Sequence, residues 1–163
     1  MTLEDAIAAW DCKSRDDILA VHGTFCSRAT YMLDLIRIAQ NPERADGATW
    51  LIKHALEQGH GVVDPIGVIR AGSRATTWPA QLHVLQLLSR LGIPVGGVGY
   101  TETLVMAAVV SPKSMVRAWG YAGCDLLGMS VASHGPKMAL VLAKARGTET
   151  SASVLARLKR CQL

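Results

Sequence analysis

The sequence predicts an all-α protein in which about four pairs of helices stack into a short solenoid. Apolar residues recur at the three- and four-residue spacing of helices, and no β-branched run alternates with polar residues as a strand would. Segments bounded by Pro and Gly follow one another at intervals of roughly 35 residues, which suits a stacked helical pair. We therefore predict one domain over residues 1–163, with capping helices over 1–23 and repeats over 24–161.

Two short helices are expected before the repeats. The first covers residues 3–10, and the second begins near Arg15, because Ser14 is a favoured capping residue and acidic residues follow it in the first turn. Gly23 is expected to break or bend this second helix. The first helix of the first repeat should then cover residues 24–40.

Proline and glycine mark the ends of the later helices. The second helix of the first repeat is expected to begin at Pro42, a residue suited to the first helical position, and to end at Gly59. The remaining helices are predicted at residues 64–72, 78–91, 101–110, 112–127, 136–146 and 151–161. The helix over 78–91 carries two apolar stripes, which implies burial on both sides. The glycine-rich stretch over 95–99 is expected to be a flexible loop rather than a phosphate-binding turn.

The segment Val116–Ala122, with the sequence VRAWGYA, resembles the second helix of a HEAT or Armadillo-like repeat. The resemblance covers most of residues 24–161, although Trp78 and Pro79 stand in the second unit where the Val-Arg pair would be expected. It implies a curved, right-handed α-solenoid that binds partners, and it implies that Arg117 pairs within the stack.

Charge is distributed unevenly along the chain. Residues 1–64 hold ten acidic and six basic residues, a net charge of −4, whereas residues 65–163 hold eleven basic and three acidic residues, a net charge of +8. An anionic partner would bind the basic half. The candidate residues for such a partner are Arg90, Lys113, Arg117, Lys137, Lys144, Arg146 and Arg157. A solvated helical surface explains the same charges, and the two interpretations stay open.

Aromatic and histidine residues recur at comparable places in the second helices. The candidates for a groove are His54, His83, Trp50, Trp78 and Trp119. Packing in the core is the favoured interpretation for the tryptophans, and a satisfied structural role is the favoured one for the histidines.

No motif predicts catalysis, a cofactor or a metal. The four cysteines are scattered, the histidines lack the spacing of metal ligands, and no phosphate-binding loop or nucleophile motif occurs. No apolar stretch is long enough to cross a membrane, and the first ten residues do not have the pattern of a secretory signal, so a cytoplasmic protein is expected.

Three functional hypotheses follow. The leading hypothesis is a non-enzymatic interaction module that holds a protein partner in a groove of the solenoid. The alternative is a nucleic-acid-binding protein that uses the basic half and is similar to the HEAT-like alkylpurine DNA glycosylases, although no catalytic Asp of that family can be identified. The third is another enzyme on a solenoid scaffold. A homodimer is a further hypothesis, because the end helices of a short stack have uncovered apolar sides.

Overall fold

The computed structural model describes all residues from Met1 to Leu163, and it contains α-helices, two 3₁₀ turns and no strand. The prediction of an all-α fold is therefore confirmed. The ten helices are α1 (Leu3–Ala8), α2 (Arg15–Phe25), α3 (Tyr31–Ala39), α4 (Ala45–Glu57), α5 (Pro65–Arg74), α6 (Trp78–Leu91), α7 (Val98–Val109), α8 (Ser114–Ser130), α9 (Gly135–Thr148) and α10 (Ala152–Leu158).

The chain forms two compact units, which we call the N-terminal unit (residues 1–84) and the C-terminal unit (residues 85–163). The boundary between them falls within α6. The N-terminal unit holds ten acidic and eight basic residues, a net charge of −2, and the C-terminal unit holds three acidic and nine basic residues, a net charge of +6. The two units therefore carry net charges of opposite sign.

The N-terminal unit has its core where α3 packs against α4 and α5. Leu35, Leu51 and Ile69 are fully buried there, one from each helix. The Ser14 hydroxyl accepts a hydrogen bond from the backbone N–H of Asp17 and so caps α2, as predicted. Asp64 caps α5 in the same way by accepting from the backbone N–H of Gly67 at 2.8 Å.

Three predicted boundaries in the N-terminal unit are wrong. Gly23 does not break α2, which continues to Phe25, because the buried Phe25 ring holds the last turn against the unit. The next helix begins at Tyr31 rather than at residue 24. The following helix begins at Ala45 rather than at Pro42, because the residues between form a turn in which the Asn41 side chain accepts from the backbone N–H of Glu43.

The C-terminal unit is built around α8, which packs against α7, α9 and α10. Close approach of α8 to α7 depends on small residues, since a Cβ atom at Gly120 would lie 2.8 Å from the Cβ of Ala108. The glycine-rich stretch predicted as a flexible loop is instead a 3₁₀ turn over Val95–Gly97 followed by the start of α7.

Helix α6 matches its predicted bounds, and apolar residues on both of its stripes are buried. Gly59 follows Gln58, the C-cap residue of α4, and Gly92 directly follows the end of α6, and both have positive φ angles, of 95° and 69°. Glycine adopts this left-handed conformation without the steric cost that a side chain brings, so the use of Gly as a stop signal is confirmed at both places.

Candidate functional site

A cavity of about 380 Å³ opens in the N-terminal unit, and we call it the tryptophan cavity. Its walls combine aromatic, charged and neutral polar side chains, supplied mainly by Trp10, Trp50, Trp78, Lys13, Arg15, Asp46 and His83. Its volume lies within the range of small-molecule binding sites. Three of the four tryptophans of the chain therefore meet in one place.

Two of these indole rings are held in fixed orientations by neighbours. The His54 ring stacks on Trp50 with centroids 5.2 Å apart and planes 20° from parallel, so that His54 supports one face of this indole. The Trp10 Nε1–H donates a 2.7 Å hydrogen bond to the carbonyl of Ser14. Gly47 leaves space for Trp10, since a Cβ atom there would lie 3.3 Å from the ring. The aromatic walls are preorganised as a result.

His83 contributes a neutral hydrogen-bond acceptor to the cavity. We assign the proton of the Thr49 hydroxyl to its nearest acceptor, the Ala45 carbonyl at 2.7 Å, and with this assignment His83 Nδ1, 3.0 Å from Thr49 Oγ1, is the donor of their hydrogen bond. Burial lowers the pKa of His83 to about 4, so the ring is neutral at pH 7. Its Nε2 atom therefore carries the lone pair.

Asp46 provides the only carboxylate in the walls of the cavity. One of its oxygens, Oδ1, accepts a hydrogen bond from the Thr77 hydroxyl, which fixes the position of the side chain. Lys13 and Arg15 bring two cations and are exposed to solvent, as is the Cys12 thiol between α1 and α2. The cavity thus combines polar acceptors in its walls with cations at its solvent-exposed margin.

A cluster of three histidines lies beside the supported face of Trp50. The His22 ring lies 4.7 Å from that of His54 and 5.9 Å from that of His60, and its Nδ1 makes a 3.0 Å hydrogen bond with the Tyr31 hydroxyl. Burial and the two neighbouring imidazoles lower the pKa of His22. No group of three His, Cys, Asp or Glu side chains in the chain is arranged to hold a metal ion.

The C-terminal unit contains a second concave surface, which we call the α7/α9 groove. It has a volume of about 260 Å³ and lies between α7 and α9, with Tyr121 of α8 contributing to its lining. The remaining lining residues come from α7, from Val110 directly after it and from α9, and they are Met106, Val109, Val110, Val141, Lys144, Ala145 and Thr148. The groove is mainly apolar, with one cation in its wall.

Exposed apolar residues lie in and next to the α7/α9 groove. Val110, in its lining, is 78% exposed, and Leu140, one helical turn before Lys144 on α9, is 72% exposed. Isolated exposed apolar residues are common on protein surfaces, but a concave apolar surface flanked by such residues is typical of an interaction site.

Four of the predicted anion-binding residues make contacts within the C-terminal unit. Arg117 forms a bidentate ion pair with Glu149, at 2.9 and 3.0 Å, and also donates to the Ser111 carbonyl. This pairing raises the pKa of Arg117 and lowers that of Glu149 to about 2. The other pairings are Lys137 with Glu102, the Arg157 guanidinium over the Trp119 ring at 4.1 Å, and Arg146 with the Cys161 carbonyl.

The remaining predicted residues, Lys144, Lys113 and Arg90, have exposed side chains, as Lys137 and Arg146 do. Lys144 lies in the wall of the α7/α9 groove, Lys113 stands at the N-cap of α8, and Arg90 lies in the last turn of α6. Trp119, the remaining groove candidate, lies against the Arg157 guanidinium within the C-terminal unit.

Trp50, Trp78 and Trp119 were expected to pack in the core, but none of them is fully buried: Trp50 and Trp119 are half-buried, and Trp78 is 45% exposed. The core needs no indole because Leu, Ile and Ala fill it, so the tryptophans are left at the surface of cavities. The favoured structural role of the histidines fits the hydrogen bond of His83 to Thr49 and the stacking of His54 on Trp50.

Several cavity residues were not predicted from the sequence. Trp10, Lys13 and Arg15 come from the N-terminal segment, which was predicted only to form capping helices. Asp46 entered the sequence analysis only as one of the acidic residues of the first 64. One signal was present, since Asp46 and Trp50 are four residues apart and therefore lie on the same face of α4.

The chain was compared with known protein families, with characterised proteins and with solved structures, and none of them matches it. None of its helices has both the length and the apolar composition needed to cross a membrane.

Proposed function

We propose that the protein is a non-enzymatic interaction module that binds a protein segment in the α7/α9 groove. The observation that carries this proposal is a concave apolar surface between two helices, with exposed Val110 in its lining. An amphipathic helix of a partner can place its apolar residues in such a groove, where burial of apolar area supplies the binding energy.

The electrostatics of the C-terminal unit favour an acidic partner segment. The unit has a net charge of +6, and each of its three acidic residues is already used in an internal contact. Lys144 brings a cation into the groove wall. Complementary charge speeds association and fixes the orientation of the segment, so the preferred segment carries Asp or Glu beside its apolar residues.

The proposal extends to the repeat architecture. We propose that α3–α4, α5–α6, α7–α8 and α9–α10 are four degenerate copies of a HEAT-like or Armadillo-like unit in a right-handed solenoid. The packing of α3 on α4, α7 on α8 and α9 on α10 supports the pairing. So does Arg117, which reaches from the third pair to Glu149 of the fourth. An experimental structure in which one rotation relates successive pairs would support the proposal, and pairs without a common operator would contradict it.

Selection from a random peptide library displayed on phage tests the groove directly. The expected peptides have apolar residues at the spacing of one helical face together with acidic residues. Their affinity for Val110→Glu should fall by about tenfold or more, because the substitution places a carboxylate where the peptide is apolar and acidic. The matched control is Val95→Glu, which changes a 93% exposed valine of the same unit that does not line the groove.

Two outcomes contradict the proposal. One is a selection that enriches no peptide, and the other is a set of peptides whose affinity is equal for the wild type and for Val110→Glu. Binding to duplex DNA that weakens steeply with salt, and that is lost in a triple alanine variant of Lys137, Lys144 and Arg146, would favour the nucleic-acid alternative instead.

A further inference from the structure

We propose that the tryptophan cavity binds a purine nucleotide, with the base between the indole rings and the phosphate at the solvent-exposed margin. This site belongs to the N-terminal unit and is separate from the proposed peptide groove, which belongs to the C-terminal unit. Three kinds of lining group carry the inference, and each corresponds to one part of such a ligand.

The indole walls correspond to the planar base. Trp10, Trp50 and Trp78 line one cavity of about 380 Å³, and none of these rings is fully buried by the protein. The orientation of Trp10 is fixed by its hydrogen bond to Ser14, and that of Trp50 by its stacking on His54. Rigid aromatic faces bind planar heterocycles by stacking. Stacking on an aromatic side chain contributes favourably to the binding free energy of any nucleobase, because every base has a π-face.

The polar atoms of the walls correspond to the edge of the base. His83 Nε2 is an acceptor because Nδ1 uses the proton of the neutral ring for Thr49. Asp46 keeps Oδ2 as a second acceptor, because Thr77 bonds to Oδ1. A hydrocarbon ring would leave both acceptors without partners, whereas the amine of adenine, or the amine and ring N–H of guanine, can donate to them.

The cations at the margin correspond to the phosphate. Lys13 and Arg15 line the cavity and are exposed, in a segment whose backbone is fixed by the Asp11 carboxylate through the N–H groups of Lys13 and Ser14. Cations on a fixed backbone suit charge-assisted hydrogen bonds to phosphate oxygens. A cationic ligand would fit the indoles and Asp46, but it would meet two like charges at the entrance, and the nucleotide is favoured for that reason.

Titration of ¹⁵N-labelled protein, observed through the four indole N–H signals, tests the proposal. AMP and GMP are the probes, and adenosine, ribose 5-phosphate and tetramethylammonium are the comparison compounds. The expected result is that the signals of Trp10, Trp50 and Trp78 shift while that of Trp119, which does not line the cavity, stays in place. Adenosine should bind about tenfold more weakly than AMP, because it lacks the phosphate contacts.

Variants separate the two ends of the ligand. In a Lys13→Ala/Arg15→Ala double variant the difference between AMP and adenosine should disappear, because both exposed cations are removed. The matched control, Arg28→Ala/Arg37→Ala, removes two exposed cations that do not line the cavity and should keep the difference. Asp46→Asn retains an acceptor for Thr77 but replaces the second acceptor by a donor, and should weaken AMP binding by about tenfold.

Three results would overturn the proposal. The first is an absence of shifts in the three cavity indoles at millimolar AMP and GMP. The second is equal binding of AMP, adenosine and ribose 5-phosphate, which would mean that base and phosphate are not recognised together. The third is tighter binding of tetramethylammonium than of AMP, which would assign the cavity to cations.

Discussion

The two units of this chain differ in the kind of surface that they leave open. The N-terminal unit has a small negative charge and concentrates three tryptophans in one cavity with polar acceptors. The C-terminal unit is strongly basic, and its groove is lined mainly by Val, Met and Ala. Aromatic walls with fixed polar atoms select a ligand by shape and hydrogen bonding, whereas an apolar groove selects mainly by burial. Similar helices can therefore present surfaces of different chemistry.

The units also differ in the pH range over which they lose stability. In the N-terminal unit burial lowers the pKa of His83 to about 4, and in the C-terminal unit the Arg117 contact lowers the pKa of Glu149 to about 2. For His83 the unfolded state binds more protons between its ordinary value of 6.5 and about 4, so stability falls as the pH falls through that range. For Glu149 the same loss occurs between its ordinary value of 4.5 and about 2.

The largest expected effect concerns His83. Between pH 7 and pH 4.5 the wild type should lose about 2–3 kcal/mol of unfolding free energy more than His83→Asn, which retains a donor for Thr49 but does not titrate. Urea unfolding followed by tryptophan fluorescence at the two pH values measures this, because three of the four indoles report on the N-terminal unit. Equal losses in the two proteins would show that His83 is already protonated or equally titratable in the folded state.

A somewhat smaller effect is expected from Glu149→Gln in the C-terminal unit. The Glu149 side chain is only 8% exposed, and the substitution removes the charge that Arg117 binds through two hydrogen bonds. The expected cost is about 1–3 kcal/mol at pH 7, and most of it should be lost near pH 2, where about half of the wild-type carboxyls are protonated. Unfolding followed by circular dichroism at pH 7 and near pH 2 measures it. A cost that stays constant with pH would contradict the ion-pair explanation.

The smallest expected effect compares one helical glycine from each unit. At Gly23 in α2 a Cβ atom would meet nothing within 4 Å, so Gly23→Ala should stabilise by about 0.5–1 kcal/mol through helix propensity. At Gly120 in α8 the Cβ atom would lie 3.1 Å from the backbone of α7, so Gly120→Ala should destabilise. Thermal unfolding of both variants gives the two signs, and equal signs would contradict the packing described for α8.

The sequence was sufficient to predict that the chain is helical and to predict where several of the helices begin or end. Periodicity and capping residues predicted Ser14 as a cap, α6 with both apolar stripes buried, and Gly59 as the stop signal after α4, which ends at Glu57. A break or bend of α2 was predicted at Gly23, because glycine has a low helix propensity. The helix continues to Phe25, because tertiary packing overrides propensity in that turn.

The sites were less predictable because they depend on residues that are distant in sequence. Trp50 and Trp78 were candidates, but nothing in the sequence places Trp10, Lys13 or Arg15 beside them. The same holds for the partnership of Arg157 with Trp119, which joins α10 to α8. Spacing on one helix can show which residues share a face, whereas the meeting of faces from different helices is decided by packing.

The central claim is that the two units bind different ligands on separate surfaces. One NMR sample with labelled indole nitrogens and labelled methionine methyl groups, titrated first with AMP and then with a selected acidic peptide, tests it most directly. We predict that AMP shifts the indole signals of Trp10, Trp50 and Trp78, and that the peptide shifts the methyl signal of Met106 and leaves those indoles unchanged. Displacement of AMP by the peptide, or a shift of the same signals by both ligands, would contradict the claim.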